Sequence, residues 1–117
     1  MYGHSDFYRM VTGAFPELQA ELDEDPELLH VQMGAFARFT EQAKGRGDWS
    51  TYQRCIAIAD ALWRTSDAGL LNALNVSYLE HLNFTGPRGD IAWGHMTPSL
   101  RIAWQQMQAY MRGLKGR

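Results

Sequence analysis

Residues 67–82 read DAGLLNALNVSYLEHL, and this stretch decides the fold. At about 100° per residue, one face of a helix holds Tyr78 and all the leucines except Leu79, while Val76 and Leu79 lie on the other side. A helix that is apolar almost all round is normally buried. The stretch therefore predicts a helix over 67–83 in the middle of an all-α domain.

Helix signals recur on both sides of this central helix. Asp25 and Thr97 each stand before a proline, which is typical of an N-cap followed by the first helical residue, and Asp48 and Asp67 can cap two more helices. No stretch keeps the alternation of period two that predicts a strand. The sequence thus predicts about five helices, at 5–14, 26–44, 48–64, 67–83 and 98–113, and allows a short helical turn at 17–23.

The lengths of the connections predict how these helices are arranged. About three residues join the second helix to the third and the third to the fourth, so these neighbours should be antiparallel. Two antiparallel hairpins, 26–64 and 67–113, would stack as an irregular bundle or as a short HEAT-like α-α superhelix. We expect one helical domain over residues 1–117. Side chains at the centres of the apolar stripes should form its core: Trp63, Leu74, Tyr78, Trp104 and Met107.

Composition limits the classes of protein that this chain can be. No apolar run approaches the roughly 18 residues of a membrane span, and no secretory signal is present, so we expect a cytoplasmic protein that does not bind membranes. Cys55 is the single cysteine, which excludes an internal disulfide and a cysteine-based zinc site. The net charge of −2 and the absence of a recognition-helix motif argue against nucleic acid as a partner.

Charge is unevenly distributed along the chain. Residues 1–27 hold seven acids and one base, whereas residues 91–117 hold four bases and no acid. Such a division can steer a charged partner or bring the two ends of the chain together, or it can reflect two solvated ends without a partner.

Motifs of the common catalytic and metal-binding classes are absent from the sequence. There is no G-x-S-x-G, no P-loop, no H-E-x-x-H and no EF-hand loop. The four histidines, His4, His30, His81 and His95, lack metal-ligand spacing on any one helix. Cys55 lies in the apolar arc of its helix, which favours a buried structural thiol over a nucleophile. We therefore expect no catalysis, no metal and no cofactor.

The second predicted helix offers a first candidate binding surface. His30, Gly34, Arg38 and Glu41 share its polar face. A glycine in mid-helix costs about 1 kcal/mol relative to alanine. Either a close-packed neighbouring backbone requires Gly34, or the glycine leaves a groove for a partner.

Two further candidates lie on the central helix and in the segment that follows it. Glu80 and His81 fall on apolar stripes, where polar groups need partners. Either they bridge helix ends and hold the long loop predicted at 83–97, with Glu80 at least half buried and accepting a hydrogen bond from that loop, or they bind a ligand or handle protons. The loop holds Trp93 and His95, and it either folds back to close the core or is itself functional.

Two segments of the chain resemble a family of small uncharacterised bacterial helical proteins. Residues 28–39 read LLHVQMGAFARF and residues 75–82 read NVSYLEHL. They are similar to the "LxHxxMGxxARF" and "VSxLExL" segments of that family. The resemblance implies a bacterial protein with a bundle or α-α superhelical fold and no established activity.

Together these features favour a helical domain that binds another protein without catalysis. One alternative, drawn by analogy with small bacterial proteins of this kind, is an immunity-type protein whose acidic segment 17–27 masks a basic toxin surface. A second alternative is a small ligand-binding protein or enzyme that uses Glu80, His81 and His95, which would then converge in one pocket.

Overall fold

The protein is all-α, as predicted. Its structure, a computed structural model, describes residues 1–115, with side chains through Gly113. Helical turns account for 84% of the described residues, which contain no β-strand. The α-helices are α1 (His4–Ala14), α2 (Gln19–Glu24), α3 (Leu29–Arg46), α4 (Trp49–Thr65), α5 (Ala68–Ala73), α6 (Gly86–His95) and α7 (Pro98–Lys115). Within residues 1–115 there are thus seven α-helices, where about five were expected.

Two of the predicted elements combine α-helical turns with turns of another type. A 3₁₀ turn at Pro16–Leu18 leads directly into α2, so the short turn expected at 17–23 is a real element. The central helix keeps α-helical hydrogen bonding only over α5. It then continues through a π-helical turn at Leu74–Tyr78 and a 3₁₀ turn at Leu79–His81. We call these two turns together the α5 extension.

The segment 83–97 is a helix, and the prediction of a long loop there was wrong. Three glycines and a proline suggested a loop, but Pro87 lies in the first turn of α6, where its missing N–H costs no hydrogen bond. Trp93 folds back onto Phe84 and Trp104, with ring centroids 5.0 and 5.5 Å away. The segment therefore helps to close the core, as one of the two interpretations proposed.

Capping residues predicted three helix starts correctly and one incorrectly. Asp48, Asp67 and Thr97 each accept a hydrogen bond from the backbone N–H three residues later. Asp25 caps no helix. Its own N–H donates to Leu22 at the end of α2, and the chain makes a turn before α3 begins.

The core lies around α3, which packs against α2, α4, α5, the α5 extension and α6. Phe36 of α3 is fully buried between Tyr78, which stacks on its ring with centroids 4.8 Å apart, and Phe7 of α1, which meets it edge-on at 6.1 Å. Thr40, one turn later, bonds the Tyr78 hydroxyl at 2.9 Å. This buried layer therefore joins α1, α3 and the α5 extension.

Two of the five residues predicted for the core are fully buried, Leu74 and Tyr78. Trp63, Trp104 and Met107 are only partly buried and pack against the edge of the core, so the prediction was wrong for them. A residue at the centre of an apolar stripe is buried only where another element covers it, and α7 leaves part of its stripe uncovered.

A short N-terminal arm joins the start of the chain to the connection between α4 and α5. The Tyr2 N–H donates to the Thr65 carbonyl at 2.8 Å, and the Asp67 N–H donates to the Tyr2 carbonyl at 2.8 Å. This backbone bridge holds the first residues of α1 against a segment more than sixty positions away.

Candidate functional site

The structure brings four of the predicted surface residues together. Gly34, Arg38 and Glu41 of α3 line a groove of about 310 Å³ with His81 of the α5 extension. Glu41 forms an ion pair with Lys44 at 2.7 Å, and Lys44 also donates to the Asn83 carbonyl at 2.6 Å. This groove, which we call the α3–His81 groove, therefore lies beside the point where α3 is tied to Asn83, just after the α5 extension.

Gly34 is not required by packing, so the close-packing interpretation of this glycine was wrong. A Cβ placed on it would meet only the end of the Arg38 side chain, at 3.7 Å, which is an ordinary contact. Arg38 itself points to Glu21 of α2, with an N–O distance of 2.7 Å. Gly34 therefore leaves open space in the α3–His81 groove.

Replacing Gly34 with alanine should therefore raise the free energy of unfolding by about 0.5–1 kcal/mol, because alanine has the higher helix propensity and meets no obstacle. Urea denaturation of the two proteins measures the change. Gly45→Ala, at an open position in the same helix, is the matched control and should give a gain of the same sign. A destabilised Gly34→Ala protein beside a stabilised Gly45→Ala protein would contradict the assignment of free space.

The remaining predicted residues lie in different surroundings. His30 is exposed, and its Nδ1 lies 2.7 Å from Ser77 Oγ in the π-helical turn. His95 contacts Gln53 through a 2.9 Å hydrogen bond and lies against the Trp49 ring, with centroids 5.4 Å apart. Neither of these two neighbours of His95 lines a cavity with Glu80 or His81. The convergence of Glu80, His81 and His95 that an enzyme would need is therefore not what the structure shows.

A larger groove, which the sequence did not predict, lies between the α5 extension and α7. We call it the α5–α7 groove; its volume is about 540 Å³. Residues of α4, α5, the α5 extension and α7 line it: Trp63, Asn72, Asn75, Val76, Glu80, Ala103, Gln106, Met107, Tyr110 and Met111. Most of these side chains are apolar, and two of them are well exposed, Val76 at 47% and Tyr110 at 67%.

Two polar side chains of the α5–α7 groove, Asn75 and Glu80, lack expected hydrogen-bond partners within residues 1–115. Asn75 Oδ1 is buried and has no hydrogen-bond donor among the described residues. Most buried polar side-chain atoms have a partner, so an orphan acceptor beside a cavity is a candidate ligand contact. Glu80 is partly buried, as predicted, but the described part of the chain supplies it no hydrogen bond from 83–97. That part of the prediction was wrong, because the segment forms α6 instead of a loop.

The π-helical turn at Leu74–Tyr78 explains why the sequence pattern missed this groove. Single π turns within α-helices widen the helix by one residue and are frequent at functional sites. A helical wheel at constant angle assigns Asn75 and Val76 to positions on a regular helix and cannot show the widening. The available signal was an asparagine within an otherwise apolar stretch.

Buried groups elsewhere in the core are not candidates for chemistry. Cys55 is fully buried, and burial raises the pKa of its thiol to about 11. Burial also raises the pKa of the Tyr52 and Tyr78 hydroxyls. Because the thiolate is the reactive form of cysteine, this site favours a structural thiol.

Cys55 should therefore react with an aromatic disulfide reagent at least about a hundredfold more slowly in the native protein than in denaturant. Absorbance of the released thiolate measures both rates. The raised pKa of Cys55 also makes the stability of the fold depend on pH. The contribution of the protonated thiol to stability is complete below pH 9 and is lost as the pH rises toward 11. A native rate close to that of the unfolded chain would show that Cys55 is accessible.

Among residues 1–115, no group of three or more His, Cys, Asp or Glu side chains is placed to hold a metal ion. None of the helices in this range is both long enough and apolar enough to cross a membrane.

Comparison with known proteins gives one match. A family model described as a domain of unknown function (DUF7674) matches residues 8–112. No curated protein and no solved structure matches the chain.

Proposed function

We propose that this chain, which belongs to the DUF7674 family of domains of unknown function, is a non-catalytic domain that binds another protein. The observation that carries this proposal is the α5–α7 groove. Exposed apolar side chains clustered along a groove are typical of interaction sites, and a groove between helical segments suits a docked helix.

The composition of the groove supports binding over catalysis. Glu80 is its one carboxylate, and its described lining includes no histidine, cysteine, lysine or arginine. Acid–base or nucleophilic catalysis needs a second group within hydrogen-bond reach of the first. The apolar lining and the exposure of Val76 and Tyr110 instead provide area that a partner would remove from water.

A photo-crosslinking experiment tests the proposal. A benzophenone amino acid at position 110 is expected to crosslink a specific protein in cells, whereas the same group at Ser50, an exposed position on α4, should not. The crosslinked protein is then purified and its affinity for the unmodified domain is measured.

Matched variants connect that affinity to the groove. Val76→Arg places a charge in the groove and is expected to weaken binding at least tenfold. Ile91→Arg is the control, since Ile91 is a β-branched residue of almost equal exposure (48% against 47%) on α6, outside the groove. Equal affinities for the two variants would overturn the proposal.

An immunity-type role is the second candidate, and one feature of the surface favours it. The acids of α2 and the turn that follows it are exposed, among them Glu24 and Glu27. Beside them, Leu28 and Val31 are also exposed, at 52% and 48%. A basic toxin surface with an apolar centre would complement this region. For such a partner, Glu24→Lys with Glu27→Lys should weaken binding more than Val76→Arg does.

We also propose that the helices stack in the HEAT-like manner suggested by the sequence. The α3–α4 hairpin supports this arrangement, because its connection is short and Gly47 adopts the left-handed conformation that ends α3 (φ 69°). The α5 extension packs against the same α3, as a second repeat would.

A further inference from the structure

We infer that the α5–α7 groove receives an amphipathic helix that presents one lysine or arginine within its apolar stripe. This inference rests on the proposed function and adds the chemistry of the partner. It follows from the hydrogen-bonding and charge properties of three groups in the groove: Asn75, Glu80 and the apolar side chains around them.

The charge of the groove selects the sign of the partner. Its lining carries the Glu80 carboxylate and no cation among the described residues, and Glu80 makes no ion pair with them. A partner's carboxylate here would face a like charge in a partly dry site, whereas an ammonium or guanidinium group gains a charge-assisted hydrogen bond.

The orphan oxygen of Asn75 selects a donor. Asn75 Oδ1 is an acceptor that lacks a donor, and Glu80 is an acceptor as well. Both belong to the α5 extension, five residues apart in the chain. A lysine has three N–H donors and an arginine has five, so one such side chain can pair with the carboxylate and still have donors left for the Asn75 amide oxygen once that amide turns toward the groove. A neutral donor such as serine satisfies Asn75 Oδ1 alone and leaves the carboxylate without a counter-charge.

The backbone of the partner is best satisfied as a helix. A peptide that binds as an added β-strand needs an exposed strand edge to receive its hydrogen bonds, and residues 1–115 contain no strand. An α-helix completes its backbone hydrogen bonds within itself, so it needs only a groove for its side chains. Trp63, Met107 and Tyr110 provide apolar contacts from two different helices, which is how a helix-binding groove is built.

A library of amphipathic helical peptides tests this inference. All members share leucines at positions i, i+4 and i+7, and one position within the apolar stripe is randomised. The library is selected separately against the native domain, Glu80→Lys, Val76→Arg and Glu24→Lys. Glu24 is an exposed acid on α2 and gives the same change of charge outside the groove. Circular dichroism confirms beforehand that each variant is folded.

We expect the charge selected at the randomised position to be reversed between the native domain and Glu80→Lys. The native domain and Glu24→Lys should enrich lysine and arginine at the randomised position at least about tenfold over glutamate, and Glu80→Lys should enrich glutamate. Val76→Arg should enrich nothing. If the native domain and Glu80→Lys select the same residue while Val76→Arg still abolishes enrichment, the cationic partner is overturned and the groove remains a docking site.

Two other outcomes identify different occupants. If no variant differs from Val76→Arg and the native domain is a monomer, the groove does not bind helices and the proposed function fails with it. If the library gives no enrichment but the native domain sediments as a dimer that Val76→Arg converts to a monomer, then a second copy of this chain occupies the groove. That result also overturns the inference of a separate cationic partner.

Discussion

Replacing Gly89 with alanine is expected to destabilise the protein by about 3 kcal/mol or more, which is the upper end of the effect of overpacking. The reason is a close approach between α6 and the backbone just before it. A Cβ on Gly89 would overlap the backbone carbonyl of Phe84, and backbone atoms cannot move aside as a flexible side chain can. Chemical denaturation monitored by circular dichroism measures the change in the free energy of unfolding.

The control for this prediction lies five residues later in the same helix. A Cβ on Gly94 would meet nothing within 4 Å, so Gly94→Ala should be neutral or stabilising by up to about 1 kcal/mol. The two substitutions are chemically identical, and both lie in α6. Similar effects at both positions would show that the Phe84–Gly89 approach does not constrain the fold.

Replacing Phe36 with alanine is expected to lower the free energy of unfolding by about 3–5 kcal/mol. Phe36 is fully buried and contacts the rings of both Phe7 and Tyr78, so its removal opens a cavity where α1, α3 and the α5 extension meet. A small domain has only about 5–15 kcal/mol of stability, so this variant should be close to unfolding at body temperature. Guanidinium denaturation measures the loss.

Two companion variants keep this prediction informative. Phe36→Leu fills most of the cavity and should lose less than half as much stability, which can be measured even if the alanine protein does not fold. Tyr110→Ala removes an aromatic ring of similar size that is 67% exposed, and it should change stability by less than about 0.5 kcal/mol. A large loss at Tyr110 would mean that α7 packs differently.

Local signals in the sequence predicted helix starts best where the N-cap side chain accepts a hydrogen bond from the first turn of its helix. Asp48, Asp67 and Thr97 bond the N–H three residues ahead, an arrangement that depends only on neighbouring residues. The same reasoning failed at Asp25, because the turn after α2 uses its backbone first. It failed again for α6, where Pro87 and three glycines indicate a loop unless tertiary packing is known.

The candidate site was predictable only where it depends on the local periodicity of one helix. The polar face of α3 follows from helical periodicity, and Gly34, Arg38 and Glu41 do share a groove. Its neighbour His81 comes from another element, so its position depends on tertiary structure. The α5–α7 groove was not predictable, because apolar residues such as Trp63 and Met107 have the same pattern whether a neighbouring helix covers them or leaves them at a groove.

The π-helical turn at Leu74–Tyr78 has a consequence for how relatives of this protein could diverge. Such a turn is equivalent to a single residue inserted into an α-helix. A relative with one residue fewer here would return to regular α-helical winding, and every later position would rotate by about 100° around the helix axis. Glu80 would then leave the groove and another side chain would take its place. The length of this segment, as much as its composition, would therefore determine which side chain a family member presents in this groove.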